Sequence, residues 1–186
     1  FHIFKSNKRL LLFLLEENIM TMDESIVNKI IHNYKYINAK YPQYFQPEIQ
    51  PFINEKWFPK YSKNGMQLRG NEWVEDLQKE LPDDFYEKRK IGENDDEICK
   101  IIQKDLIEEF IIYINKNCYP VKSTINRSIY ETNNFILKKE SGFFSKGISL
   151  IEYTAFFGSI QIFNYLRQNG AELKSSLWLY AVHGQN

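Results

Sequence analysis

The chain has 186 residues, 43% of them hydrophobic, which is enough for one domain or two small ones with a packed core. Its 24 Lys and Arg balance its 24 Asp and Glu, so the formal net charge is zero, and the two parts divided at about residue 90 are each nearly neutral. This balance argues against a nucleic-acid partner, because a basic face on phosphate supplies most of that affinity.

The two cysteines, Cys99 and Cys118, are too few for a disulfide framework and fit a reducing, cytoplasmic compartment. The longest apolar run, Leu10 to Leu15, is closed by Glu16-Glu17 and is too short to cross a bilayer, so no membrane insertion is expected. It follows basic residues, but no small-residue cleavage site comes after it. The abundance of Asn, Ile, Lys and Tyr suggests an AT-rich genome. A chain that starts at Phe1 and stops at Asn186 reads as part of a longer protein.

In chain order, residues 5–17 predict a helix with a wide apolar face and Ser6 as N-cap. Thr21 to Glu24 has the capping-box spacing, and Ile26, Val27, Ile30 and Ile31 follow on one helical face. Between Tyr41 and Lys63, four prolines (Pro42, Pro47, Pro51, Pro59) interrupt Tyr44, Phe45, Phe52, Trp57 and Phe58. Proline removes amide donors and restricts the preceding residue, so short packed helical turns are expected. A peptide-binding groove is the functional alternative for these aromatics, and structural packing the simpler one. Asn64-Gly65 signals a turn, and Asn71 caps an expected helix that stops before Pro82. Residues 83–97 are strongly polar, read as solvated, and supply the expected domain boundary near residue 92.

From Asp95 the periodicity is plainly helical: a short helix, a break near Asp105, and a second helix to Asn115. Residues 118–147 read as a loop, and no convincing β pattern appears anywhere. Ser149 to Glu172 then contains two helices punctuated by Gly158 and Gly170, twelve residues apart. A short inner helix with small Thr154 and Ala155 ends at Gly158, a residue free to take left-handed angles. A longer outer helix presents Ile162, Phe163 and Leu166 to the stack and ends at Gly170. The same template fits upstream, with Ile102, Asp105, Phe110 and Asn117 in the corresponding places, Asp and Asn being next best after Gly at such ends. It fits again downstream, with Ser175, Leu177, Ala181 and Gly184.

With Gly147, Ser149, Leu150, Ile151, Glu152, Thr154, Ala155, Gly158, Ser159 and the closing Gly170-Ala171, this stretch resembles the ankyrin-repeat family. More closely, the chain resembles the divergent ankyrin-repeat proteins greatly expanded in trichomonad-type protists. Leu150 and Glu152 stand where the family has Pro and His. The step from Gly158 to Gly184 is 26 residues, short of the roughly 33 of a full repeat, which implies a trimmed β-finger loop. The resemblance implies an all-α protein: an N-terminal helical region over residues 1–92, then degenerate ankyrin-like helix-turn-helix repeats over residues 93–186, the start of a solenoid with its last unit truncated. It also implies a concave binding face formed by Tyr153, Phe156, Phe157, Leu179, Val182 and His183, where aromatic anchors suit a protein partner.

No P-loop, dinucleotide fingerprint, zinc-protease motif or calcium loop is present, and no cofactor or metal is expected. Cys99 or Cys118 with His32 or His183 is a conceivable nucleophilic pair, although a Cys on an apolar helix face is more often structural. Asp95-Asp96-Glu97 more simply complements a helix dipole than forms an acidic site. Asn126-Arg127-Ser128 is a glycosylation sequon that carries no weight without a secretory signal. The expectation is therefore a non-enzymatic protein-interaction or scaffold module. The alternatives are a structural component of a large, cytoskeletal assembly and a Cys-dependent enzyme.

Overall fold

The computed structural model describes residues 7–32, 40–53, 77, 79–138 and 147–185. Among them the fold is all-helical, with no strand and only an isolated antiparallel bridge between Thr124 and Ser149. The chain forms two compact units, Phe1–Glu93 and Asn94–Asn186. No helix among the described residues is long and apolar enough to cross a membrane.

In the first unit, α1 (Lys8–Glu16) is capped by Asn7, whose side chain accepts the Leu10 amide at 3.0 Å. Asn7, not Ser6, therefore holds the N-cap. The second helix, α2 (Glu24–His32), is held by Asp23, which accepts the Ile26 amide at 2.8 Å. The expected Thr21 box starts too early, because Glu24 is already the first helical residue. Ile26, Val27, Ile30 and Ile31 are all buried, as their spacing requires.

The proline-rich stretch folds as α3 (Tyr41–Tyr44), α4 (Gln46–Ile49) and a 3-10 turn (Gln50–Phe52). Each carries its proline in the first turn, where a missing amide donor costs nothing. Tyr41, Tyr44, Phe45 and Ile49 are buried. Trp57, Phe58, the Asn64-Gly65 turn and Asn71 lie outside the described residues, and Lys79 to Leu81, at the end of the helix expected there, are not helical.

Residues 85–91, read from sequence as solvated, form α5 (Phe85–Ile91) and contribute to the core through Phe85 and Arg89. Arg89 is only 6% exposed because its charge is compensated: it pairs with Glu48 at 2.9 Å and donates to the Tyr44 carbonyl at 3.3 Å. Its guanidinium lies 5.8 Å from the Tyr44 ring centroid, and the Lys8 ammonium lies 5.0 Å from the same ring. Burial pushes the Tyr44 phenol up to about 12.

The second unit contains α6 (Glu97–Gln103), α7 (Ile107–Lys116), α8 (Asn134–Lys138), α9 (Leu150–Phe157), α10 (Ile160–Gln168) and α11 (Leu177–His183). Helix α9 is central: it packs against α6, α10 and α11, while α7 packs against α6 and α10. The helices thus form an inner row, α6-α9-α11, and an outer row, α7-α10. Ile98, Cys99, Ile102, Phe110, Leu150, Tyr153, Ile162 and Leu166 fill the space between the rows. The stretch between α7 and α9, read from sequence as loop, is tied down. The Ile125 amide donates to the Ile148 carbonyl at 2.8 Å and the Leu150 amide to the Ser123 carbonyl at 3.1 Å. Phe135 of α8 packs against Phe156, Tyr180 and His183.

Candidate functional site

The second unit is organised by turns that recur. Both helix pairs, α6-α7 and α9-α10, turn through a left-handed residue: Asp105 at φ 51° and Gly158 at φ 68°. Only glycine adopts such angles freely, and Asp or Asn tolerates them better than other residues do. Both outer helices end in Asn. Asn117 donates its side-chain amide to the Tyr113 carbonyl, and Asn169 donates to that of Tyr165, each at 2.9 Å. The next residue is left-handed in both cases, Cys118 at φ 48° and Gly170 at φ 83°. The closing left-handed residue of the first pair is thus Cys118, one place beyond the expected Asn117.

The two turns are also bonded to one another. The Asp105 carboxylate accepts the amides of Gln161 and Ile162 at 3.0 Å each, so it caps α10 from the preceding pair. The Ser159 hydroxyl donates to the Ile102 carbonyl.

Helix α11 extends the inner row. Its N-cap is Ser176 and its left-handed residue is Gln185 at φ 65°. Both lie one position beyond Ser175 and Gly184, the places expected from sequence. Glu152 joins it to α9. This carboxylate, 1% exposed, accepts the Ser149 amide at 2.9 Å and hydroxyl at 2.6 Å, and the Ser176 hydroxyl at 2.7 Å. Glu152 thus links the N-termini of two successive inner helices.

This geometry divides the six expected contact residues. Tyr153 is fully buried, and its hydroxyl accepts from Gln103 at 3.0 Å; Phe156 is buried and stacked against Phe135. Phe157 is half-buried against Tyr153 and Phe156. Tyr153 and Phe156 thus serve the core, covered by Gln103 and by Phe135 of α8, while Phe157 is only partly buried against it. His183 is exposed but lies flat on Phe135, with centroids 3.8 Å apart. Leu179 and Val182 are exposed, and so is Trp178, which sequence reasoning left out. Trp178 sits one turn before the expected Val182, on the side of α11 away from buried Tyr180, a spacing that identifies it.

The chemistry of the cysteines is equally defined. Cys99 is buried, and burial pushes its thiol up, with the Asp96 carboxylate adding to the effect. A nucleophilic thiolate needs the opposite surroundings. Cys118 is exposed. Asp95 accepts the Ser128 hydroxyl at 2.7 Å and Asp96 accepts the Asn126 side-chain amide at 3.4 Å, so both help fasten the 126–128 loop. No group of three or more His, Cys, Asp or Glu among the described residues is placed to hold a metal ion.

Searches of protein-family models, curated proteins and solved structures return no match to this chain.

Proposed function

We propose that the chain is a non-enzymatic protein-interaction module of the divergent ankyrin-repeat kind. The observation that carries this reading is the pair of stacked helix-turn-helix units with the same left-handed turns and Asn-capped ends, followed by a third inner helix with apolar side chains in solvent. Units of this sort bury a continuous core only by stacking, and their outward residues are free to vary towards a partner. The balanced charge favours a protein over a nucleic acid, and the raised thiol of Cys99 weighs against the Cys-dependent alternative. Fold alone does not assign a function, so the partner must be found by experiment.

The test is affinity capture from native extract with quantitative mass spectrometry, with the wild-type chain beside the folded variant Trp178→Asp/Val182→Asp. A partner enriched at least about tenfold by wild type and lost by the variant supports the reading and places the contact on α11. Absence of any enriched protein, together with a substrate turned over by the purified chain, would overturn it.

A further inference from the structure

Helix α8 (Asn134–Lys138) is held differently from the helices around it. Side-chain hydrogen bonds fasten α9 to α11 through Glu152 and Ser176, and α10 to the preceding pair through Asp105. The bonds of α8 stay local. The Asn133 side chain accepts the Phe135 and Ile136 amides at 2.9 and 3.3 Å, and the Asn133 carbonyl accepts the Leu137 amide at 2.9 Å. Among the described residues, no hydrogen bond joins residues 134–137 to another helix. Five residues are also too few to sustain a helix unaided.

The contacts that seat α8 centre on one side chain. Phe135 lies in a cradle built by two inner helices. It stacks on Phe156 of α9 with centroids 6.4 Å apart, meets Tyr180 of α11 edge-on at 4.9 Å and lies on His183 at 3.8 Å. Phe156 and Tyr180 are buried, whereas Phe135 and its neighbours at 134, 136 and 137 are only partly so. Ile136 and Leu137 line a small cavity with Ile125 and Ile148, so α8 is not close-packed on that side either. The chain is anchored before α8 by buried Tyr130 and Glu131, and after it by buried Ile148. A short segment between fixed points, seated by one ring and local hydrogen bonds, is of the kind that opens while the rest stays folded.

We propose that α8 is a displaceable cover on the inner row of helices, and that the cradle beneath it takes, in place of Phe135, an aromatic side chain from a short apolar segment of another protein. The occupant is read from the cradle itself, whose walls are rings already paired with a ring. The cover is a property of this fold alone, while the partner segment rests on the interaction-module reading. Being part of the same chain, α8 competes at an effective concentration of roughly millimolar, so the closed form turns away weak aromatic segments and yields only to tighter ones.

Two measurements on the purified chain test this. Neither uses a cellular partner, so their failure leaves partner capture through α11 untouched. In hydrogen-deuterium exchange, the Ile136 and Leu137 amides are expected to exchange at least about 100-fold faster than those of Tyr153 and Thr154 in α9. A fluorescein-labelled peptide with the sequence of residues 131–138 then probes the cradle by fluorescence anisotropy. Phe135→Ala is expected to keep the wild-type circular dichroism and to bind this peptide at least about tenfold more tightly than wild type does. The peptide carrying Phe135→Ala should bind neither chain. Equal protection of α8 and α9 would overturn the proposal. So would equal peptide binding by the two chains, or none by either. Loss of helical structure in Phe135→Ala would overturn it too, by making Phe135 part of the core rather than a cover.

Discussion

The carboxylate of Asp105 receives the backbone amide of Ile162 at 3.0 Å, so the turn of one helix pair caps the outer helix of the next. Asp105 also occupies a left-handed conformation, and three substitutions separate its two roles. Asp105→Gly removes the cap but suits the backbone, and is expected to cost about 1 kcal/mol. Asp105→Ala loses both and is expected to cost about 2–3 kcal/mol. Asp105→Asn, which keeps an acceptor oxygen and tolerates the angle, should cost least. Urea denaturation of the three variants gives the order, and equal effects for Gly and Ala would show that the backbone angle contributes nothing.

Cys118 holds the position that Gly170 holds in the other pair, but as a residue with a side chain at φ 48°. Cys118→Gly is expected to raise stability by about 0.5–1 kcal/mol, and Cys118→Ala to leave it unchanged. The two thiols should also differ kinetically. In the native protein one equivalent, Cys118, reacts with a thiol reagent at the rate of a small-molecule thiol, and buried Cys99 reacts only when the chain unfolds. Rapid modification of both would contradict the packing of α6.

Glu152 and Ser176 join α9 to α11 through a hydrogen bond to a charged acceptor. A double-mutant cycle with Glu152→Ala and Ser176→Ala is expected to return a coupling of about 1–2 kcal/mol. Glu152→Ala alone should cost more than Ser176→Ala, because it also releases the amide and hydroxyl of Ser149. Additive effects would mean that the two inner helices are held by apolar contacts alone.

Alkaline pH should unfold the first unit through Tyr44. The folded chain keeps this phenol protonated up to about pH 12, whereas an unfolded chain releases the proton near pH 10. Its contribution is complete below pH 10 and is lost as pH rises from 10 towards 12, at up to about 1.4 kcal/mol per pH unit. After a jump to about pH 11, phenolate absorbance should therefore rise in two phases: exposed tyrosines at once, buried ones with the loss of helical circular dichroism. A single fast phase would show that Tyr44 is accessible.

Much of this architecture was legible in the residues. Ile26, Val27, Ile30 and Ile31 declared their buried face by spacing, and Asp105 and Gly158 announced their turns as residues that tolerate left-handed angles. What escaped depended on contacts distant in sequence. Arg89 looks solvated until Glu48 and the Tyr44 carbonyl, more than forty residues away, take up its charge. Tyr153 and Phe156 look like surface aromatics until Gln103 and Phe135 cover them. Phe135 itself lay in a stretch without periodicity, and a five-residue helix is too short to show any. The caps at Asn7 and Asp23 were missed by one and two residues because Ser6 and Thr21 offered equally plausible oxygens.

Cys99, Glu152 and Leu179 stand at the same place in the three inner helices, three residues after the N-cap. The step from α9 to α11 joins a carboxylate on one helix to a hydroxyl on the next, whereas at the step from α6 to α9 the matching residue is the apolar, buried Cys99. Leu179 gives α11 no such carboxylate, so in this respect α11 resembles α6 more than α9. Leu179→Glu would therefore give α11 the hydroxyl acceptor that sets α9 apart from the other two inner helices.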